Sequence, residues 1–173
     1  MTAELKLHFA PLRPYVALPD VREEKITSGV YVWGFDLGDT FVPYFVGKAH
    51  DVVGEMAGHI SRILSGDSVI YHKDHLQEFW KYEPVYGDIT LGGKVEFFRK
   101  RYGALREHLD HMVDSFCFTY APIEPSLFEK LDSSAERAVM DAIGRDKLVN
   151  QRHGKPEHKV DVGNLQRVLA KLQ

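Results

Sequence analysis

Glu55, His59 and Arg62 stand at positions i, i+4 and i+7 of a segment whose apolar residues recur at helical spacing, so three chemically active side chains share one helix face. An imidazole titrates near neutral pH, and a guanidinium suits a planar anion such as phosphate. His72-x-x-His75 and His108-x-x-His111 repeat a metal-ligand spacing, but no thiol stands near either pair to complete a tetrahedral set, which argues against zinc. Ser133-Ser134-Ala135-Glu136 spells a helix-capping box, in which Glu136 satisfies a backbone amide. Cys117 is the one cysteine; inside Ser115-Phe116-Cys117-Phe118 it reads as a small buried thiol with no disulfide partner.

Positioning these groups requires strands and helices in a definite order. Leu5, Leu7 and Phe9 alternate with polar residues and read as a strand with one buried face. Residues 29–35 and 40–46 are rich in β-branched and aromatic side chains around Asp36-Leu37-Gly38-Asp39, the pattern of an antiparallel hairpin whose second strand Gly47 closes. Asp51 is the expected N-cap of a helix to Leu64, with Val52, Val53, Met56, Ile60, Ile63 and Leu64 on its core face. A short helix is expected at 75–82, a longer one over 95–111, a third strand over 114–121 and a helix from Ser133 to about Ala142. Leu165, Val168, Leu169 and Leu172 mark a terminal amphipathic helix.

The 173 residues, 44% of them hydrophobic, are enough for one buried core and too few for two, so a single domain over 1–173 is expected. No apolar run approaches the roughly 18 residues of a membrane span, and the first residues lack the pattern of a signal peptide, so the expected location is cytoplasmic. A formal charge of −3 argues against a dedicated nucleic-acid coat protein. Local basic runs remain: Lys94, Arg99, Lys100, Arg101 and Arg106, then Arg145, Lys147, Arg152, Lys155 and Lys159, each either a solvated helix face or a phosphate-facing one. Trp80, Tyr82, Phe97, Phe98 and Tyr102 suit base stacking, core packing or an interface.

Gly29-Val30-Tyr31, then Phe45-Val46-Gly47-Lys48, then His59 on the following helix, Glu136 on a later helix and finally Asn150 form an ordered set. In this order and on these elements, the chain resembles the GIY-YIG nuclease superfamily over roughly residues 29–150. The family carries an arginine ten residues after the tyrosine of its second signature and a histidine four residues further on; counted from Phe45 these positions hold Glu55 and His59. The tyrosine has become Phe45 and the arginine Glu55. The resemblance implies an α/β fold of α+β type: a small, mostly antiparallel central sheet flanked by helices, with an N-terminal strand region at 1–28, a helical insertion at about 66–111 and a C-terminal helix at about 163–173.

The resemblance also implies a metal-dependent DNA endonuclease. Glu136 would anchor Mg²⁺ or Mn²⁺, Tyr31 would orient or deprotonate the attacking water in the field of Lys48, His59 would contact the phosphate or join the proton network, and Asn150 would brace the substrate site. A magnesium ion needs only one or two protein carboxylates, so Glu136 alone is an adequate anchor, and the same residue also reads as a helix cap. Glu55 places a negative charge where a guanidinium is expected, while Arg62, about 4.5 Å along the helix from His59, can reach back toward a phosphate held there. Tyr44 cannot replace the lost hydroxyl of Phe45 unless a bulge intervenes, since neighbouring strand residues face opposite sides. The alternative function is a catalytically silent scaffold that binds nucleic acid or another protein.

Overall fold

The computed structural model describes residues 5–87, 91–130, 133–150 and 159–170. Arg152, Lys155 and Leu172 lie outside the described residues, as do the ends of the expected N-terminal strand and terminal helix. The architecture is α/β. Two short strands, β1 (Leu5–Lys6) and β2 (Arg13–Pro14), precede α1 (Leu18–Arg22), the hairpin β3 (Gly29–Asp36) and β4 (Phe41–Ala49), and α2 (Val52–Leu64). A 3₁₀ segment, Lys73–Lys81, and α3 (Leu91–Asp114) fill the stretch read as an insertion; β5 (Phe116–Pro122), α4 (Pro125–Phe128), α5 (Ser134–Ile143), β6 (Val160–Asp161) and α6 (Leu165–Leu169) follow.

The main sheet has the order β2-β5-β3-β4 and is antiparallel throughout, with β3 in the middle because it pairs with its hairpin partner on one side and with β5 on the other. Strand β3 is buried on both faces. Tyr31, Trp33 and Phe35 point to the layer that includes α2 and α3, whereas Val30 and Val32 point to the layer that includes α5 and α6. Each such fully buried side chain contributes roughly 1.5–3 kcal/mol, so the alternation along one strand ties two cores together.

Several expectations need correction. The residues from Leu5 to Phe9 keep their alternation, with Leu7 and Phe9 buried, but only Leu5–Lys6 pairs as a strand, and with β6 rather than the main sheet. Residues 1–28 are therefore not one strand region: two short strands and α1 share the described part. Gly47 does not close β4, which continues to Ala49 with Gly47 opposite Tyr31. The register slips between Trp33 and Gly34, so that Trp33 faces Phe45 while Gly34 faces Pro43, and Tyr44 is the extra residue of a β-bulge. The bulge turns Tyr44 to the same side as Phe45, packed on Trp33 at 4.5 Å between ring centres.

The Asx turn at Asp36, whose carboxylate accepts from Gly38 N at 2.9 Å, closes the hairpin, and Gly38 takes φ 89° there. Asp51 caps α2 as expected, its side chain accepting from Gly54 N at 3.0 Å. At the bulge, a Cβ on Gly34 would sit 2.0 Å from the Val42 carbonyl oxygen, which backbone pairing holds in place. Gly34→Ala should therefore lower the unfolding free energy by roughly 3 kcal/mol or more in urea titration. Gly58→Ala, in the interior of α2 with nothing within 4 Å of the new methyl, should raise it by roughly 0.5–1 kcal/mol. Equal effects at the two glycines would contradict this account of the bulge.

Candidate functional site

Tyr31 Oη and His59 Nε2 lie 3.2 Å apart in a buried hydrogen bond that joins the middle strand to α2. It exists because Gly47, directly across from Tyr31, has no side chain: a Cβ there would fall 2.3 Å from the phenol oxygen and 3.0 Å from the Phe45 ring. The Tyr31 ring therefore lies across its partner strand. Phe45 stacks on it at 6.2 Å and approaches the His59 ring at 5.0 Å, while Trp33, two residues along the same face, lies 5.2 Å from His59.

These aromatic walls change the chemistry of the pair. His59 is only 6% exposed, although it shares a helix face with Glu55 and Arg62. Burial, with the Arg62 charge second, lowers its pKa from 6.5 to about 4, so the imidazole is neutral at physiological pH. Tyr31 is pushed in the opposite direction: burial raises it well above the usual phenol range, the charges of Glu55 and Glu136 raise it further, and Arg62 opposes them. Both groups therefore rest in their neutral forms, with a carboxylate on α2, a carboxylate on α5 and a guanidinium on α2 all acting on one hydroxyl.

The cation expected beside Tyr31 is not Lys48. Strand alternation sends Lys48, next to Gly47, to the other face, where its Nζ lies 4.7 Å from the centre of the Phe128 ring, and Arg62 takes the expected electrostatic place. Among the described residues no ion pair joins Arg62 to Glu55 or Asp51. Glu55 and Arg62 occupy the first and last turns of α2, where their charges also complement the helix dipole. Ser133 makes no side-chain cap at α5, so the capping-box account of Glu136 lacks its serine half.

Asn150 is a brace rather than a ligand in this geometry. Its Oδ1 accepts from Val46 N at 3.2 Å and its Nδ2 donates to Val46 O at 2.6 Å, so one amide pairs both backbone groups of an edge-strand residue. Sequence reasoning missed Trp33, although its i+2 relation to Tyr31 was a usable signal. Its indole N–H is buried with no acceptor among the described residues, beside the His59 ring. Three members of the basic runs pair with acids: Lys100 with Glu96 at 2.8 Å, Arg106 with Asp110 at 3.4 Å, and Arg145 with Asp141, while Arg101 lies over the Phe97 ring at 4.2 Å. Lys100 and Arg106 lie on the solvated face of α3. Phe98 is buried and Tyr82 stacks on His75, which leaves Tyr102 as the exposed aromatic of α3.

Because the folded pKa of His59 lies below that of an unfolded histidine, the unfolded chain takes up the proton first, and stability is lost as pH falls from about 6.5 toward 4. The loss linked to this one group is on the order of 3 kcal/mol at pH 4. Urea unfolding at pH 7 and pH 4.5 should show a shallower pH dependence for His59→Gln than for the unsubstituted chain; parallel slopes would refute a neutral buried imidazole. Phe and Trp contacts with His59 should also hold its ring signals unshifted in NMR titration down to about pH 5. Protein-family models, curated proteins and solved structures contain no match to the chain.

Proposed function

We propose that this chain is a metal-dependent phosphodiesterase of GIY-YIG type that acts on DNA with an altered residue set. The observation that carries this reading is the buried hydrogen bond from Tyr31 to His59, on whose phenol oxygen the charges of Glu55, Glu136 and Arg62 converge. A phenol, a neutral imidazole, a guanidinium and a carboxylate are the groups needed to orient water, relay a proton, attract a phosphate and anchor a hard cation.

Among the described residues no group of three or more His, Cys, Asp and Glu is placed to enclose a metal. Mg²⁺ or Mn²⁺ would need less than such a group, since these ions keep most of their waters and take one or two protein carboxylates with substrate oxygens, and Glu136 would be that carboxylate. A divalent ion at Glu136 would supply the positive charge that phosphate and leaving oxygen need. Tyr31 would accept a hydrogen bond from the attacking water through its oxygen and donate its own proton toward Nε2 of His59, which is free to accept because the ring is neutral. Arg62 would draw the phosphate toward His59 in place of the missing guanidinium at position 55.

A second reading, a silent scaffold that binds nucleic acid or a protein, is favoured by one observation: Glu55 adds a negative charge that raises Tyr31 further, where a guanidinium would lower it. Supercoiled plasmid separates the two. The phosphodiesterase reading expects nicking in Mg²⁺ or Mn²⁺ that EDTA abolishes and that Glu136→Ala lowers by roughly a hundredfold or more. Arg62→Ala should weaken DNA binding and reduce its salt dependence. Salt-dependent DNA binding without nicking, in a chain that begins to cleave once Phe45→Tyr and Glu55→Arg are combined, would identify the silent scaffold instead.

A further inference from the structure

Three imidazoles surround the start of the 3₁₀ segment Lys73–Lys81. The rings of His72 and His75 are 5.1 Å apart, and His108 of α3 approaches His72 at 4.3 Å. A trapped transition metal is the obvious thought, and the hydrogen bonds argue against it. Nδ1 of His72 accepts from Asp74 N at 3.3 Å, and Nδ1 of His108 accepts from Lys73 N at 3.5 Å. A backbone amide can only donate, so both rings are held as the tautomer with the proton on Nε2 and the lone pair on Nδ1. Binding a metal through Nε2 would demand the reverse.

We propose that this cluster is a proton-sensitive clamp: His72 and His108, while neutral, cap the first two amides of the 3₁₀ segment, and protonation releases the start of that segment from α3. A helix start leaves its first amides without internal acceptors, so the two ring nitrogens do work that Ser or Asp side chains usually do. Those residues cap at any pH near neutral. An imidazole stops capping once it gains a proton, because the accepting nitrogen has become a donor facing another donor.

The charges around the cluster set the direction. Nδ1 of His72 lies 3.4 Å from the Asp74 carboxylate as well as 3.3 Å from the Asp74 amide, so protonation exchanges a cap for an ion pair on the same residue. That carboxylate is 70% exposed, which makes the exchanged ion pair weak. His108 has no such exchange, since its neighbour Glu107 is bound to the Lys73 ammonium. His75, the third ring, stacks flat on Tyr82 at 3.9 Å. Burial, then His72, hold His108 below the ordinary imidazole range, against the opposing charges of Glu107 and Asp74. The folded form therefore prefers the neutral His108 ring, and the cap that this ring makes is intact above about pH 6.5 and weakens as pH falls. Two new positive charges would also join Lys73 at a helix start that is already the positive end of the dipole.

The clamped segment reaches the site through packed rings. Phe79 lies 4.8 Å from Tyr44, Tyr44 lies 4.5 Å from Trp33, and Trp33 lies 5.2 Å from His59. Amide exchange followed by NMR at pH 7.5 and 5.5, corrected for intrinsic rates, tests the clamp directly. Protection of the Lys73 and Asp74 amides should fall roughly tenfold at the lower pH while the amides of α2 keep theirs. The combined variant His72→Asn, His108→Asn keeps two accepting oxygens that do not titrate, and its protection should not change with pH. Should that variant not fold, ring ¹⁵N shifts of the unsubstituted protein at pH 7.5 decide: protonated Nε2 on both rings supports the clamp, and protonated Nδ1 on either overturns it. Equal protection at the two pH values overturns it as well.

Discussion

A side chain at residue 47 and the Tyr31 ring cannot occupy the same space, and the arrangement of the site follows from that exclusion. Tyr31 and Gly47 face each other across the hairpin, and the absent Cβ lets the phenol lie over the partner strand with its hydroxyl directed to α2. The helix is pinned to receive it: Val52 N donates to Thr27 O at 3.0 Å, just before β3 begins, and Asp51 fixes the first turn. One loop before the middle strand and one after its neighbour thus set the height at which His59 meets Tyr31. Few degrees of freedom remain for that pair.

The same strand pair also has to end at an edge, and the chain manages that edge with side-chain and backbone amides. Asn150 pairs both backbone groups of Val46, and Val149 N donates to Tyr44 O at 2.9 Å, so residues after α5 cover the open side of β4. The neighbouring bulge brings two consecutive aromatic residues, Tyr44 and Phe45, to one face. Phe45 then walls the Tyr31–His59 bond, and Tyr44 links the sheet to Phe79 and Tyr71. A regular strand would have sent one of those rings into the opposite core.

Local rules carried the parts of this structure that are locally determined. The hairpin, the Asp51 cap and the length of α2 depend on neighbours within a few residues, and composition and spacing report such features well. The burial of His59 depends on Trp33 and Phe45, which are distant in sequence, so its place on the helix face of Glu55 and Arg62 does not report it. Gly47 read as a strand end because glycine usually interrupts strands; its use here is the close approach of Tyr31, which no local pattern states. Lys48 follows a different rule: alternation with Gly47 puts it on the face opposite Tyr31, where its ammonium lies over the Phe128 ring. The bulge at Tyr44 and the helical turn before α3, buried through Leu76 and Phe79, arise from packing across elements.

The charge pattern around Tyr31 connects these geometric facts to chemistry. Glu55 and Arg62, two turns apart on α2, act on the Tyr31 hydroxyl with opposite signs, and Glu136 of α5 adds a second negative charge. Burial first, and the two carboxylates after it, keep the phenol protonated against the one opposing guanidinium. For the phosphodiesterase we propose, Glu55 in place of a guanidinium would therefore raise the dependence of the site on a cation, because the phenol and the imidazole that would use one remain hydrogen-bonded to each other.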